Sequence, residues 1–464
     1  MKPRENWGSR LGFLMATAGS AIGMGSLWKF PYVTGQNGGG LFVLAYLIFT
    51  FLIGVPIFMA ELLIGRAASR APVGTFGALA SKRPEWRLLG WSCAFATLLI
   101  LSYYSVVAGW ALNYTLMSLL NFSKGKSPAE ISETFNVLYT SGDINLLWNF
   151  LFLGLTTGIV FRGVRKGIEL WSKILTPALL LLLILLFAYA TTLEGFPEAF
   201  LFIFKPDASK MTPSALLEAL GLACFTLSIG MGIIITYGSY MRKNDDIPKT
   251  SLTVASMTIA VSLLAALMIF PIIFTFDFVP QQGPGLLFKT LPVLFSQLPG
   301  TLLLSTTFFI LVVFAALTST ISVMEVLVAT VTEVVGWSRA KGALIVGGVV
   351  FIISIPSALS GSGGIFASWQ VMYSKTFFDT VDFFASAWLL PLNATLTAIF
   401  AGWVVDKAIR HEGFLAGSHW TWLFRPWLFL MRWIVPVAII LILLQQGGII
   451  NVDQLVGFTW HKAQ

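Results

Sequence analysis

Long apolar runs, separated by short polar stretches rich in lysine and arginine, set the pattern of this chain. They cover residues 11–34, 41–65, 88–120, 145–161, 168–191, 214–240, 251–277, 301–331, 342–358, 381–405 and 424–446. A helix crosses the hydrocarbon core of a bilayer with about 17–25 apolar residues. The pattern therefore predicts an all-α polytopic membrane protein with eleven transmembrane helices. The residues after 446 are too few and too polar for a twelfth. Two runs are interrupted in the same way, by Ile22-Gly23-Met24-Gly25 in the first and by Ile229-Gly230-Met231-Gly232 in the sixth.

Glycine costs a helix interior about 1 kcal/mol relative to alanine, and irregular backbone at membrane depth is tolerated only where it is buried or lines a cavity. The interrupted runs occupy equivalent places if the first ten helices form two five-helix halves. The expected organisation is a single transporter domain: a cytoplasmic tail over 1–10, a first repeat over 11–191, a second, inverted repeat over 214–405, and an additional helix over 424–446. Matched interrupted segments are a pointer to a transporter's central site. Freed amides at half-helix N-termini suit an anionic group, and freed carbonyls suit a cation. Together they fit a zwitterion that travels with a metal ion, such as an amino acid with sodium. Either glycine pair alone reads as close packing between membrane helices. The repetition, with Ser20, Ser26, Thr226 and Ser228 beside the breaks, favours a binding site.

Composition agrees with a membrane solvent: 56% of residues are hydrophobic and 11% charged, with a mean hydropathy of +0.83, against about a quarter charged in soluble domains. The net charge of +8 is explained by topology. With the N-terminus inside, most lysines and arginines fall in cytoplasmic loops. This places the N-terminus in the cytoplasm and the C-terminus outside a plasma (inner) membrane, with the first helix as its own targeting signal. No basic groove interleaved with aromatics supports nucleic-acid binding, so the expected partners are the bilayer and a small molecule. Cys93 and Cys224 lie inside apolar runs, and His411, His419 and His461 lie outside them. That distribution offers no disulfide framework, zinc site or nucleophile with its base, so no enzyme is expected. A channel needs a continuous polar path, which isolated hydroxyls at two breaks do not provide. A non-transporting amino-acid sensor stays open as an alternative, as do a carrier for small amino acids and a proton-driven one.

The stretches "NWGSRLGFLMATAGSAIGMGSLWKFPYVTGQNGGG", "GVPIFMAELLIGR", Tyr103-Tyr104, "CFTLSIGMGIIITYGSYMRKNDDIP" and "FAALTSTISVMEV" resemble the neurotransmitter:sodium symporter family, in its bacterial amino-acid transporter branch of the short eleven-helix type. The resemblance runs from residue 4 to about 405. It implies sodium-coupled import of a hydrophobic or aromatic L-amino acid by alternating access. It implies that the substrate carboxylate meets the backbone from Ala21 to Gly25 and the Tyr104 hydroxyl, while its amino group meets carbonyls around Phe225, Thr226 and Ser228. The pocket for the side chain would be lined by Ser20, Met24, Ile100, Met231, Ser319 and Val323, under a lid of Tyr104 and Phe225.

The resemblance also implies one or two Na+ ions. One site would use Ala21, Ser26, Thr226, Thr258 and the substrate carboxylate. The other would use the carbonyls of Gly19, Ile22 and Ala315 with the hydroxyls of Thr318 and Ser319. Tyr46 and Ser262 match chloride-dependent relatives, but Leu222 stands where those have glutamine, so chloride is not expected to be required. Lys29 and Asp382 are expected near each other at the outer gate. Arg4, Trp7, Ser239, Tyr240 and Glu333 match the inner gate. Glu61 is expected to support the broken backbone, and the spacing of Gly167 and Pro177 offers either local unwinding or a simple kink. Oligomeric state is left open.

Overall fold

A computed structural model describes residues 5–207, 211–276, 285–362 and 366–455, and all regular structure among them is helical. The apolar runs appear as α1 (Arg10–Ala21), α2 (Gly25–Gln36), α3 (Gly40–Ala68), α4 (Pro84–Leu119), α5 (Gly142–Phe161) and α6 (Val164–Ala190). They continue as α7 (Pro213–Thr226), α8 (Ile233–Gly238), α9 (Ile247–Thr275), α10 (Thr301–Val335), α11 (Arg339–Ala358), α12 (Phe377–Val404) and α13 (Thr421–Gln446). Short helices such as Pro72–Leu79, Pro128–Thr140 and Phe196–Phe204 connect them.

Nine of these helices are long and apolar enough to cross a membrane, and α1 with α2, bent by 47°, makes a tenth span. The sixth expected run differs. It comes as α7 and α8, each too short to cross alone, so a count of eleven requires taking that pair together.

Both breaks follow from local backbone chemistry. In the first, α1 stops at Ala21 and the helix resumes at Gly25. In the second, the φ angles of Ser228, Gly230 and Gly232 are 57°, 79° and 74°, a left-handed region that no helix can continue through and that glycine enters without strain. Burial sorts the spans into centre and periphery: the most apolar stretches of α4 and α9 are 72% buried, those of α6 and α13 only 33%. The long α4 and α10 pack along each other, and α1 lies against α6 and α10. The broken helices thus sit in the protein's interior, where their open backbone groups are shielded from lipid.

Candidate functional site

The two breaks are joined through Ser20, at the end of α1. Its carbonyl accepts hydrogen bonds from Ser228 Oγ at 3.2 Å and Ser319 Oγ at 3.3 Å, and its hydroxyl accepts one from Ser322 Oγ at 2.7 Å. Across the gap, the Met24 amide donates to the Tyr104 hydroxyl at 3.1 Å. One cavity opens between these groups, and every residue expected to meet the substrate lines it except Ile22 and Met24. Met24 is 1% exposed and takes part through its backbone amide. Gly23, within the stretch expected to meet the carboxylate, also lines the cavity, as does Ile233, which the sequence reading did not single out.

Two glycines are required by close approach. A Cβ on Gly23 would collide with Ser319 Oγ and lie 3.1 Å from the Tyr104 hydroxyl. A Cβ on Gly25 would lie 2.9 Å from the Phe225 ring. The space left is about 40 Å³, room for a few water molecules at about 10–15 Å³ each.

Of the oxygen groups expected to hold sodium, those of Gly19 and Thr318 lie where α1 meets α10. Thr318 Oγ1 donates to the Ala315 carbonyl at 3.0 Å, and a Cβ on Gly19 would lie 3.3 Å from Thr318 Cβ, so α1 and α10 meet there. Ile22, the residue ending α1, is fully buried, and its amide donates to the Ala18 carbonyl. On the other side, Thr226 Oγ1 shares a 3.0 Å hydrogen bond with the Tyr46 hydroxyl, and Thr258 Oγ1 donates to the Val254 carbonyl at 2.9 Å. Ser26 Oγ is buried with no hydrogen-bond partner among the described residues. A buried hydroxyl without a partner costs about 1–3 kcal/mol, which a cation beside its oxygen would offset. No group of three or more His, Cys, Asp or Glu suited to a metal occurs among the described residues. The donor set is one of hydroxyls and carbonyls, which fits a hard monovalent cation.

Lys29 does not pair with Asp382: its Nζ stands 4.1 Å from the centroid of the Phe225 ring, and no ion pair joins the two charges among the described residues. Asp382 instead accepts a 3.4 Å contact from Ser386 Oγ. An aromatic face attracts a cation at lower desolvation cost than a buried carboxylate pair. Lys29, Phe225 and Ser386 line a second cavity of about 270 Å³. Phe225 is therefore the wall between the two cavities.

On the opposite side, the Trp7 amide donates to the Tyr240 carbonyl at 3.2 Å and its indole N–H to the Tyr237 carbonyl at 3.1 Å. Ser239 Oγ donates to the Thr236 carbonyl at 2.5 Å. Glu333 accepts from the Ala71 amide at 2.7 Å; Arg4 lies outside the described residues. Tyr240 reaches a different acid, donating to Glu325 Oε1 at 2.5 Å, while Arg339 holds both oxygens of Glu325 at 3.0 and 2.5 Å. Charge-assisted bidentate contacts of this kind are the strong ones.

Two buried acids hold backbone. Glu61 Oε1 accepts from the Gly230 amide at 2.8 Å, in the second break. Glu169 accepts from the Gly8 amide at 2.6 Å and Ser9 Oγ at 2.8 Å, and from Lys173 Nζ at 2.7 Å. It fastens the start of α1 to α6, and a Cβ on Gly12 would collide with it. No spacing in the sequence links these residues. Gly167 lies in a wide turn over Val164–Glu169, and α6 continues through Pro177 without a break.

A helical membrane bundle whose two interrupted helices meet around one shared cavity has the construction of a secondary transporter. The sequence model of the Sodium:neurotransmitter symporter family matches residues 4–126 and 129–460, and the chain belongs to that family. It is 39% identical over 449 residues to the uncharacterized sodium-dependent transporter YhdH of Bacillus subtilis, covering 96% of this chain and 98% of the relative. An uncharacterized sodium-dependent transporter of Haemophilus influenzae is 31% identical over 453 residues, covering 95% and 98%. The solved structure of MhsT in complex with L-phenylalanine matches with a TM-score of 0.87 at 40% identity, covering 96% of this chain and all of that one. The chain is thus a multi-pass, sodium-dependent transporter of this family.

Proposed function

We propose that the protein imports a hydrophobic or aromatic L-amino acid together with one or two sodium ions, by alternating access. The observation that carries this reading is the cavity at the meeting of the two breaks. Its walls offer backbone and a Tyr104 hydroxyl to the ends of an amino acid, and Ile100, Phe225, Met231 and Val323 to an apolar side chain. No ionised side chain lines it, so a charged amino acid would be left unpaired at a cost of several kcal/mol. The bound L-phenylalanine of MhsT, a 40% identical neighbour, supports the same substrate class.

Sodium enters as cargo. The ion between Gly19, Ile22, Ala315, Thr318 and Ser319 would hold α1 against α10. The ion near Ala21, Ser26, Thr226 and Thr258 would meet the substrate carboxylate and couple the two. Leu222 offers no polar group to an anion, and transport is expected without chloride. Substrate closes Phe225 on the outer side. Release of the Trp7, Tyr240 and Glu169 contacts then opens the inner side. Counterflow in proteoliposomes tests the reading: exchange of external labelled for internal unlabelled L-phenylalanine marks a carrier, whereas sodium-dependent binding without exchange marks a sensor.

A further inference from the structure

We propose that the cleft at the turn between α5 and α6 binds the phosphate of an anionic phospholipid. α5 ends at Phe161, and Gly163, with φ at 93°, sends the chain directly into α6. The turn sets Arg162, Arg165 and Lys166 close together, all exposed, and these three with Phe161 and Leu170 line one open cleft. Phe161 is 43% and Leu170 48% exposed. They belong to α5 and α6, whose apolar stretches are only 39% and 33% buried. In a membrane such faces meet acyl chains, so the cleft places cations at the headgroup level and apolar side chains beneath, the layout of a phospholipid.

The charge is not balanced internally. The ion pairs near this end join Lys173 to Glu169 and Arg339 to Glu325, and among the described residues no carboxylate pairs with Arg162, Arg165 or Lys166. The acid at the turn is Glu5, whose Oε2 accepts from the Val164 amide at 2.9 Å. Arg165 donates its Nε to the Asn6 carbonyl at 2.7 Å, which fixes the guanidinium beside the cleft without neutralising it. Even with Glu5 counted, a net positive charge remains. Basic pockets at the headgroup level of membrane helices attract anionic lipids, each cation contributing about fivefold to affinity.

Native mass spectrometry of the full chain in detergent tests this, with phosphatidylglycerol, phosphatidylcholine and glycerol 1-phosphate as separate probes. One phosphatidylglycerol should be retained in preference to phosphatidylcholine. The double variant Arg162→Gln/Lys166→Gln should bind it roughly 25-fold more weakly, while Arg162→Lys keeps it. Lys82→Gln/Arg83→Gln, which removes two exposed cations from another turn, should change nothing. Equal retention by the first double variant, or equal loss in both, overturns the site. Glycerol 1-phosphate binding as tightly as the lipid overturns the lipid as its occupant.

Discussion

Lys29 Nζ lies over the Phe225 ring, 4.1 Å from its centroid, and that ring separates the two cavities. If Phe225 is the proposed lid, the contact would hold it in place with about 0.5–2 kcal/mol. Lys29→Met should speed substrate dissociation roughly two- to thirtyfold, measured by chase of bound labelled amino acid. Asp382→Asn should have the smaller effect, because Asp382 does not pair with Lys29. Equal acceleration in both variants would restore the ion pair as the outer latch.

Gly25→Ala sets a methyl 2.9 Å from the Phe225 ring. Overpacking of this kind costs about 1–3 kcal/mol, and a bulky substrate aggravates it. The variant should lose affinity for L-tryptophan and L-phenylalanine at least tenfold while holding L-alanine within about threefold, read from competition binding. A uniform loss across all three would place the methyl's effect on the helix break instead of the pocket.

The hydroxyls of Thr318 and Ser319 are proposed sodium ligands, and a hydrogen-bonding or ligand contact to a charge is worth about 1.5–3 kcal/mol. Thr318→Ala and Ser319→Ala should each raise the sodium concentration needed for substrate binding tenfold or more. Thr320 sits on the same helix but bonds Thr156 Oγ1 at 3.1 Å, away from α1. Thr320→Ala should leave sodium dependence unchanged. Wild-type sodium affinity in the first two variants would remove this ion site.

Glu61→Ala leaves the Gly230 amide buried without its acceptor, at a cost of about 1–3 kcal/mol. The melting temperature in detergent should fall by several degrees, while Glu61→Gln, which keeps a carbonyl at that place, should recover most of it. A melting temperature unchanged in Glu61→Ala would show that the second break stands without this acid.

What the sequence made legible was whatever repeats or has a hydropathy period. The two Ile-Gly-Met-Gly stretches are the breaks, because the backbone of the second needs φ above zero at Gly230 and Gly232. Of the hydroxyl residues flanking them, Ser228 reaches Ser20, whereas Thr226 bonds Tyr46 and Ser26 has no hydrogen-bond partner among the described residues. The contact of Lys29 was less legible: two opposite charges are expected near each other, but nothing in the separation of positions 29 and 225 shows that the Phe225 ring lies against Lys29. Glu169 and Gly12 were missed for a related reason. An acid and a glycine more than 150 residues apart carry no local signal, and only the packing of α1 on α6 brings them together. Arg339 lies on the next helix from Glu325, past a turn that sequence periodicity does not orient.

Equilibrium binding of labelled L-phenylalanine to the purified protein in sodium chloride, sodium gluconate and potassium chloride tests the central claim most directly. Saturable binding in both sodium salts, lost in potassium chloride, is the result expected of a sodium-coupled amino-acid site that needs no chloride. Binding of equal affinity in potassium chloride would contradict it, because the substrate would then sit in the cavity without the ion proposed to share its carboxylate.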